Sequence, residues 1–308
     1  MNNTTTQFYL PPNNKQLQLA IFITSFVCGI AGNLVVVWVI AITKKKTVSD
    51  LLVSSLAISD ILFLSLNIPV NIHIHLHRLV FNNFYCKVIL PMMTVTFFLC
   101  VFTLTAMAVH RCIGILNPFG KKLSPRQALL VIFVIWIMAF VPVVPLMVVS
   151  EVDSAHSTCY ENWRKQQDKK SYTLALFFLQ YLLPLLVISI AYYKIARYLY
   201  GSKVPRIFVN EIGAIRRRLS REENKPVLRT LAAIVLAYAL CLLPHQVCGL
   251  LWDFGGHKEK QAVYYMVDYT HMLLNIHSCL NPFIYGTLTK HFRNRFTNYI
   301  CKVRLFSE

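Results

Sequence analysis

Long apolar segments alternate with short polar ones along almost the whole chain. A helix needs about 20 mostly apolar residues to cross the hydrocarbon core of a bilayer. Seven segments meet that length: Leu17–Ile42, Val48–Leu76, Phe84–Leu116, Gln127–Val149, Tyr172–Leu199, Val227–Trp252 and Ala262–Leu288. Because a backbone in lipid must satisfy its hydrogen bonds internally, the pattern predicts an all-α membrane protein, a bundle of seven transmembrane helices.

The basic residues indicate which helix ends face the cytoplasm. With the N-terminus outside, the inner segments carry 22 of the 31 lysines and arginines, as the positive-inside rule requires. We therefore expect a multi-pass protein of the plasma membrane with an extracellular N-terminus. Residues 1–16 form the outer tail, in which the sequons at Asn2 and Asn3 predict glycosylation.

The bundle, residues 17–288, is followed by a short cytoplasmic tail, residues 289–308. In that tail Phe292, Phe296 and Tyr299 recur at helical spacing among lysines and arginines. This pattern predicts an eighth, amphipathic helix along the inner leaflet, with membrane lipid as a partner. Cys301 at its end is a candidate for palmitoylation, and an unmodified cysteine is the alternative.

Composition excludes several classes of protein. Hydrophobic residues make up 56% of the chain and charged residues 14%, a balance unlike that of a soluble domain. The net charge of +18 arises from short basic clusters between apolar segments, so no nucleic-acid partner is expected. The sequence contains no nucleophile elbow, zinc signature or phosphate loop, so an enzyme is not expected. His73 and His77 share a helical face at the outer end of the second span, but ordinary interfacial histidines explain them better than a metal site does. A transporter would carry inverted repeats or several buried charges, which makes it the weaker alternative.

Asp60 is the only acidic residue deep within a predicted span. A charged side chain at membrane depth is costly unless it is paired or hydrated, so it marks a candidate functional site. Asn33, Ser278 and Asn281 lie at a similar depth. Their oxygens suit an allosteric sodium ion near Asp60, and a purely structural hydrogen-bond network is the alternative.

Only two of the nine cysteines, Cys86 and Cys159, are placed at the outer surface. The outer surface is an oxidising environment, in which paired cysteines form disulfides. We therefore predict a bridge that ties the second outer loop to the start of the third helix.

Each span also carries a short motif. The motifs are Gly32-Asn33, Leu56–Asp60, Cys86 and Arg111, Trp136, Pro184 and Tyr192, Cys241–Pro244, and Asn281–Tyr285. In this order they resemble those of rhodopsin-like (class A) G-protein-coupled receptors over essentially the whole chain. The resemblance implies a receptor that binds an extracellular ligand and activates a heterotrimeric G protein.

The family's mechanism implies roles for several of these positions. The sixth helix would shift outward about Pro244, so that Arg111 meets Tyr192 and Tyr285 beside the G protein. Asn281 and Pro282 would belong to the same activation machinery.

Three positions depart from the family's pattern. His110 replaces the acid before Arg111, which predicts raised or pH-dependent basal activity. Leu242 replaces a tryptophan and Tyr238 a phenylalanine in the sixth helix, so the trigger is expected to be altered. A decoy receptor that binds ligand without G-protein signalling is the alternative.

Further comparison with the family excludes some classes of ligand and favours others. Met93 stands where amine receptors carry an aspartate, and the seventh span has no lysine for retinal. The loop Cys159–Trp163 resembles that of receptors in the neuropeptide Y, neuropeptide FF and orexin groups. In receptors for peptides ending in Arg-Phe-amide or Arg-Tyr-amide, an acid at the position of Asp253 pairs with the ligand arginine. A solvated acid at a helix end is the alternative. The other candidate ligand-binding residues are Met93, Glu161, Gln180, Leu242, Gln246, Trp252 and Asp268.

Overall fold

The computed structural model describes residues 15–76, 82–117, 120, 122–153, 158–200 and 211–288. Within these ranges the chain forms seven long helices. Numbered in chain order, they are α1 (Lys15–Ala41), α2 (Val48–His75), α3 (Tyr85–Leu116), α4 (Pro125–Val149), α5 (Gln166–Tyr200), α6 (Glu211–Phe254) and α7 (His257–Leu288). The seven-helix architecture is confirmed. The predictions for Asn2, Asn3, Cys301 and the eighth helix concern residues outside the described ranges, and the side chain of Tyr285 is also outside them.

Six of the described helices are long and apolar enough to cross a membrane, and α7 falls outside that group. The reason is the polar content of α7, which carries Asn275, His277, Ser278 and Asn281 on its inner face. All four are buried within the bundle, so α7 presents these groups to other helices instead of lipid.

Local sequence sets where α2 and α4 begin. Thr47 caps α2 and exchanges hydrogen bonds with Asp50, while Ser124 and Gln127 form the same capping box at α4. These side chains satisfy N–H groups that a first helical turn leaves without partners. Pro125 follows the cap of α4, where its fixed φ favours a helix start.

Three of the described helices change their winding near a proline. In α3 a π turn, Tyr85–Ile89, precedes Pro91. In α4 a 3-10 turn, Val141–Val143, surrounds Pro142. In α5 a π turn, Phe178–Leu182, precedes Pro184. Each irregular turn redirects main-chain carbonyls that an uninterrupted α-helix would use internally.

The helices form a closed bundle with α3 at its centre. Helix α3 packs against α2, α4 and α5, while α7 joins α1 to α6. Apolar side chains such as Leu56, Leu64 and Phe98 are fully buried between them. The outer face of α4 is apolar too, with Leu130 and Phe133 each more than 60% exposed. In a membrane protein such a face contacts lipid.

A short antiparallel hairpin, which the all-helical prediction did not include, follows α4. Its strands are β1 (Ser150–Asp153) and β2 (Thr158–Glu161), paired from Ser150 with Glu161 to Asp153 with Thr158. Cys159 of β2 forms a disulfide with Cys86 at the start of α3, and their Cα atoms are 5.5 Å apart. The predicted bridge is therefore present. We call this the hairpin end of the bundle.

Candidate functional site

A cavity of about 340 Å³ opens at the hairpin end. Helices α2 to α7 surround it, and the hairpin forms part of its wall. Three of the predicted ligand-binding residues, Met93, Glu161 and Gln180, line this cavity. Its other lining residues include Phe63, Asn67, Phe97, Tyr160, His245 and His271.

The remaining predicted ligand-binding residues lie around the cavity. Gln246 is buried beside it and donates to the Oε1 atom of Gln180, at 3.3 Å. Leu242 is fully buried in the core and is absent from the cavity lining. Trp252 is 45% exposed at the end of α6, and Asp268 is half-buried in α7. Sequence spacing placed these four in the outer parts of α6 and α7 without resolving which of them face inward.

Two histidines that the sequence analysis did not select face each other in the cavity wall. The rings of His245 and His271 meet edge to face, with centroids 5.4 Å apart. The Nδ1 atom of His245 lies 3.4 Å from the hydroxyl of Thr270. The Nδ1 atom of His271 has no hydrogen-bond partner among the described residues. The position of His245 directly after Pro244 was the only sequence signal for this pair.

Tyr238 lies below the cavity and is not one of its described lining residues. Its hydroxyl donates to the main-chain carbonyl of Gln180, and its ring stacks on that of Tyr181 at 6.0 Å. The Tyr181 hydroxyl in turn donates to the carbonyl of Ala239, at 3.2 Å. Gln180 and Tyr181 both lie in the π turn of α5, so Tyr238 bonds to the irregular part of that helix. These bonds join α5 to α6 beneath the cavity.

Asp253 at the end of α6 is buried, with 8% of its side chain exposed. Its Oδ1 atom lies 3.2 Å from the Nζ atom of Lys169, and its Oδ2 atom accepts a hydrogen bond from the hydroxyl of Thr173. The carboxylate is therefore held by two groups of α5 rather than solvated. This pairing joins α5 to α6 at the rim of the cavity.

Lys169 also reaches the hairpin. Its Nζ atom lies 3.8 Å from the Oε2 atom of Glu161, which accepts a 2.7 Å bond from the indole N–H of Trp163. The Trp163 ring packs against that of Tyr172, at 5.0 Å between centroids. One lysine thus contacts acids from both the hairpin and α6.

A second carboxylate orders the hairpin itself. Glu151 accepts hydrogen bonds from the Tyr160 hydroxyl at 2.9 Å and from the Asn162 amide at 3.2 Å. This hydrogen bond and the negative charge of Glu151 raise the pKa of Tyr160 above its usual value. Tyr160 therefore remains a hydrogen-bond donor at physiological pH.

The mid-bundle polar network surrounds Asp60, which is fully buried. Its Oδ2 atom accepts a 2.7 Å bond from the Asn281 amide, and its Oδ1 atom lies 3.3 Å from the Cys100 sulfur. Ser278 also hydrogen-bonds to the carboxylate. Asn33 instead donates to the carbonyls of Gly29 and Ser278, which links α1 to α7. Cys100 is the member that the sequence analysis missed.

The predicted activation residues of α3, α5 and α7 lie toward the end opposite the hairpin, whereas Tyr238 and Pro244 lie in the half of α6 nearer the hairpin. Arg111 is close enough to Tyr192 for their charges and dipoles to interact. His110 and Arg111 also line a groove of about 960 Å³ between α2, α3 and α4, at the end opposite the hairpin. Pro244, Asn281 and Pro282 lie within α6 and α7, where the sequence placed them.

Comparison with known proteins gives a consistent result. Residues 32–285 match the family model described as the 7 transmembrane receptor (rhodopsin family). The chain is 29% identical to galanin receptor type 1 of Rattus norvegicus, over 93% of this chain and 83% of that protein. It is 31% identical to neuropeptide FF receptor 1 of Rattus norvegicus, over 90% of this chain and 68% of that protein. It is 28% identical to neuropeptide Y receptor type 6 of Oryctolagus cuniculus, over 95% of this chain and 84% of that protein.

Proposed function

Because the chain belongs to the rhodopsin family of seven-transmembrane receptors, we propose that it is a neuropeptide receptor that activates a heterotrimeric G protein. The names of the relatives, which include galanin, neuropeptide FF and neuropeptide Y receptors, support a peptide ligand. The bias of lysines and arginines supports an extracellular hairpin end in the plasma membrane. G-protein recruitment on addition of the matched peptide tests this function, and binding without recruitment would identify a decoy.

We further propose that the peptide is amidated and carries an arginine next to its last residue. The observation that carries this proposal is the buried carboxylate of Asp253 at the cavity rim. A guanidinium presents several N–H groups in one plane and bonds to both carboxylate oxygens, whereas a lysine ammonium acts as a point charge. A peptide arginine would therefore compete with Lys169 for Asp253.

The cavity beyond the rim suits the last residue of such a peptide. Phe63, Phe97 and Leu90 supply apolar and aromatic surface, which favours a phenylalanine or tyrosine side chain. Gln180 and His271 supply polar atoms for the terminal amide. An amidated end carries no charge, which matches a wall without a lysine or arginine among its described lining residues.

Replacement of Asp253 by alanine tests the arginine contact. A charge-assisted hydrogen bond contributes about 1.5–3 kcal/mol, so we expect potency of an amidated Arg-Phe or Arg-Tyr peptide to fall about tenfold to a hundredfold. Glu259→Gln is the matched control, since Glu259 is an exposed acid at the same end of the bundle. Equal potency of Asp253→Ala and wild type, at equal surface expression, would remove the assignment.

We also propose an allosteric sodium ion beside Asp60. Oxygens of Asp60 and Ser278 suit this hard cation, while the Cys100 sulfur is a poor ligand for it. Asn33 contributes by holding the α7 main chain instead of binding the ion. If sodium chloride lowers agonist affinity equally in wild type and Asp60→Asn, the ion binds elsewhere.

A further inference from the structure

The groove between α2, α3 and α4 lies at the end opposite the hairpin and has a volume of about 960 Å³. Its wall is apolar and includes Phe102, Ala106 and Ile135. Two of its lining residues, Ile113 and Val131, are 59% and 37% exposed on the surface of the bundle. A groove that opens on this surface is accessible from the hydrocarbon region of the membrane.

The ionisable residues among the described lining of the groove are all basic. His110, Arg111 and Lys122 lie at the level where α3 ends and α4 begins, and none of the described lining residues is acidic. The carboxylate of Asp50, at the start of α2, is not part of the lining and is bound to the main-chain N–H and hydroxyl of Thr47. The groove therefore combines a long apolar wall with a basic end formed by His110, Arg111 and Lys122, which we call its mouth.

We propose that this groove binds an anionic phospholipid of the leaflet at that end of the bundle. The acyl chain would lie along the α3 and α4 wall, and the anionic phosphate would contact His110 and Lys122. Basic side chains near a membrane surface attract anionic lipids, which are enriched in the cytoplasmic leaflet. The quaternary ammonium of phosphatidylcholine would face the same cations unfavourably, and a sterol has no charge to match them.

His110 makes the mouth selective for negative charge. A neutral imidazole retains one N–H donor and a protonated one has two, so His110 can donate to a phosphate in either state. An aspartate at this position would place a negative charge against the phosphate. The proposed lipid site thus depends on a residue at which this chain departs from the receptor pattern, and it is independent of which peptide binds at the hairpin end.

Gly114 provides a steric test of the same site. A Cβ atom added to Gly114, which lines the groove, meets no heavy atom within 4 Å. The Cβ atom of Gly114→Phe therefore has open space, and we expect the attached ring to occupy part of the groove. Gly249 on α6 has equally open surroundings but is not a lining residue, so Gly249→Phe is the matched control.

The experiment uses the purified full chain, with dioleoylphosphatidylglycerol and dioleoylphosphatidylcholine titrated separately and bound lipids counted by native mass spectrometry. We expect the wild type to bind phosphatidylglycerol at one high-affinity site. Lys122→Gln and His110→Asp should each weaken that site about fivefold, the effect of about one unit of charge near the membrane surface. His110→Gln, which keeps a donor and adds no charge, should fall between wild type and His110→Asp.

The steric variants complete the test. Gly114→Phe should abolish the high-affinity site, and Gly249→Phe should leave it unchanged, with thermal unfolding used to verify that both variants are folded. Equal affinity for the two lipids would overturn the proposal. So would retention of the site in Gly114→Phe, an equal loss in His110→Gln and His110→Asp, or displacement of phosphatidylglycerol by an uncharged sterol.

Discussion

The two ends of the bundle differ in both charge and construction. At the hairpin end, the carboxylates of Glu151, Glu161 and Asp253 are bound to hydroxyl, amide, indole and ammonium donors from neighbouring segments. At the opposite end, His110 and Lys122 line a groove without an acid among its described lining residues. The hairpin end is assembled by contacts between loops and helix ends, whereas the opposite end is formed by the helices directly. The hairpin end is therefore suited to a positively charged partner, and the opposite end to a negatively charged one. We expect substitutions at one end to leave binding at the other end unchanged.

The largest expected effect comes from removing the Cys86–Cys159 disulfide, which anchors only the hairpin end. A disulfide of this kind contributes about 2–5 kcal/mol, so Cys86→Ser with Cys159→Ser should lower the potency of the matched peptide by more than about tenfold. Phosphatidylglycerol binding at the opposite end should be retained. Cys28→Ser, at an exposed free cysteine, is the control. Equal loss at both ends would show that they are not independent.

A smaller effect is expected from replacing Lys169, which forms an ion pair with Asp253 in the absence of ligand. Lys169→Met removes the group with which a peptide arginine competes. A partly exposed ion pair is worth at most about 1 kcal/mol, so potency for an Arg-containing amidated peptide should rise by about twofold to fivefold. Lys170→Met is the control, because Lys170 instead lies 5.3 Å from the centre of the Phe254 ring. Reduced potency in Lys169→Met would mean that the lysine itself binds the peptide.

The smallest expected effect concerns His110 and signalling without ligand. His110→Asp restores an acid beside Arg111, and at a half-exposed position such an ion pair contributes less than about 1 kcal/mol. Ligand-free second-messenger output should therefore fall by about twofold, with His110→Gln remaining near wild type. Wild-type output no higher than that of vector controls would contradict the raised basal activity itself.

The sequence predicted all seven helices because hydrocarbon imposes an apolar pattern on the spans, which is strong in α1 to α6 and weaker in α7. It misplaced several boundaries for the same reason. Helix α5 begins at Gln166 instead of Tyr172, and α6 begins at Glu211 instead of Val227. The apolar pattern indicates which part of each helix contacts lipid. The helical hydrogen bonds continue past that part into polar residues. The short hairpin was missed because its four-residue strands carry no comparable pattern.

The sequence predicted how deep each residue of the candidate site lies in the bundle, but not which residues contact one another. Counting along helices placed Asp253 at the rim and put Asp60 near Asn281, since rise per residue is fixed. The same counting could not reveal that Asp253 contacts Lys169, 84 positions earlier in the chain. Nor could it show that Cys100 reaches Asp60 or that Leu242 lies below the cavity. These contacts depend on the rotation of each helix about its own axis. That rotation is set by how the helices pack, which counting along the sequence does not show.

The bond from the Tyr238 hydroxyl to the Gln180 carbonyl sets an energetic threshold for motion. Any separation of α6 from α5 at this level breaks a buried hydrogen bond, at a cost of about 0.5–1.5 kcal/mol. That cost shifts the ratio of joined to separated helices by about twofold to tenfold. A ligand that favours separation must supply at least this difference in affinity, so one phenolic hydrogen bond raises the minimum strength of an effective agonist.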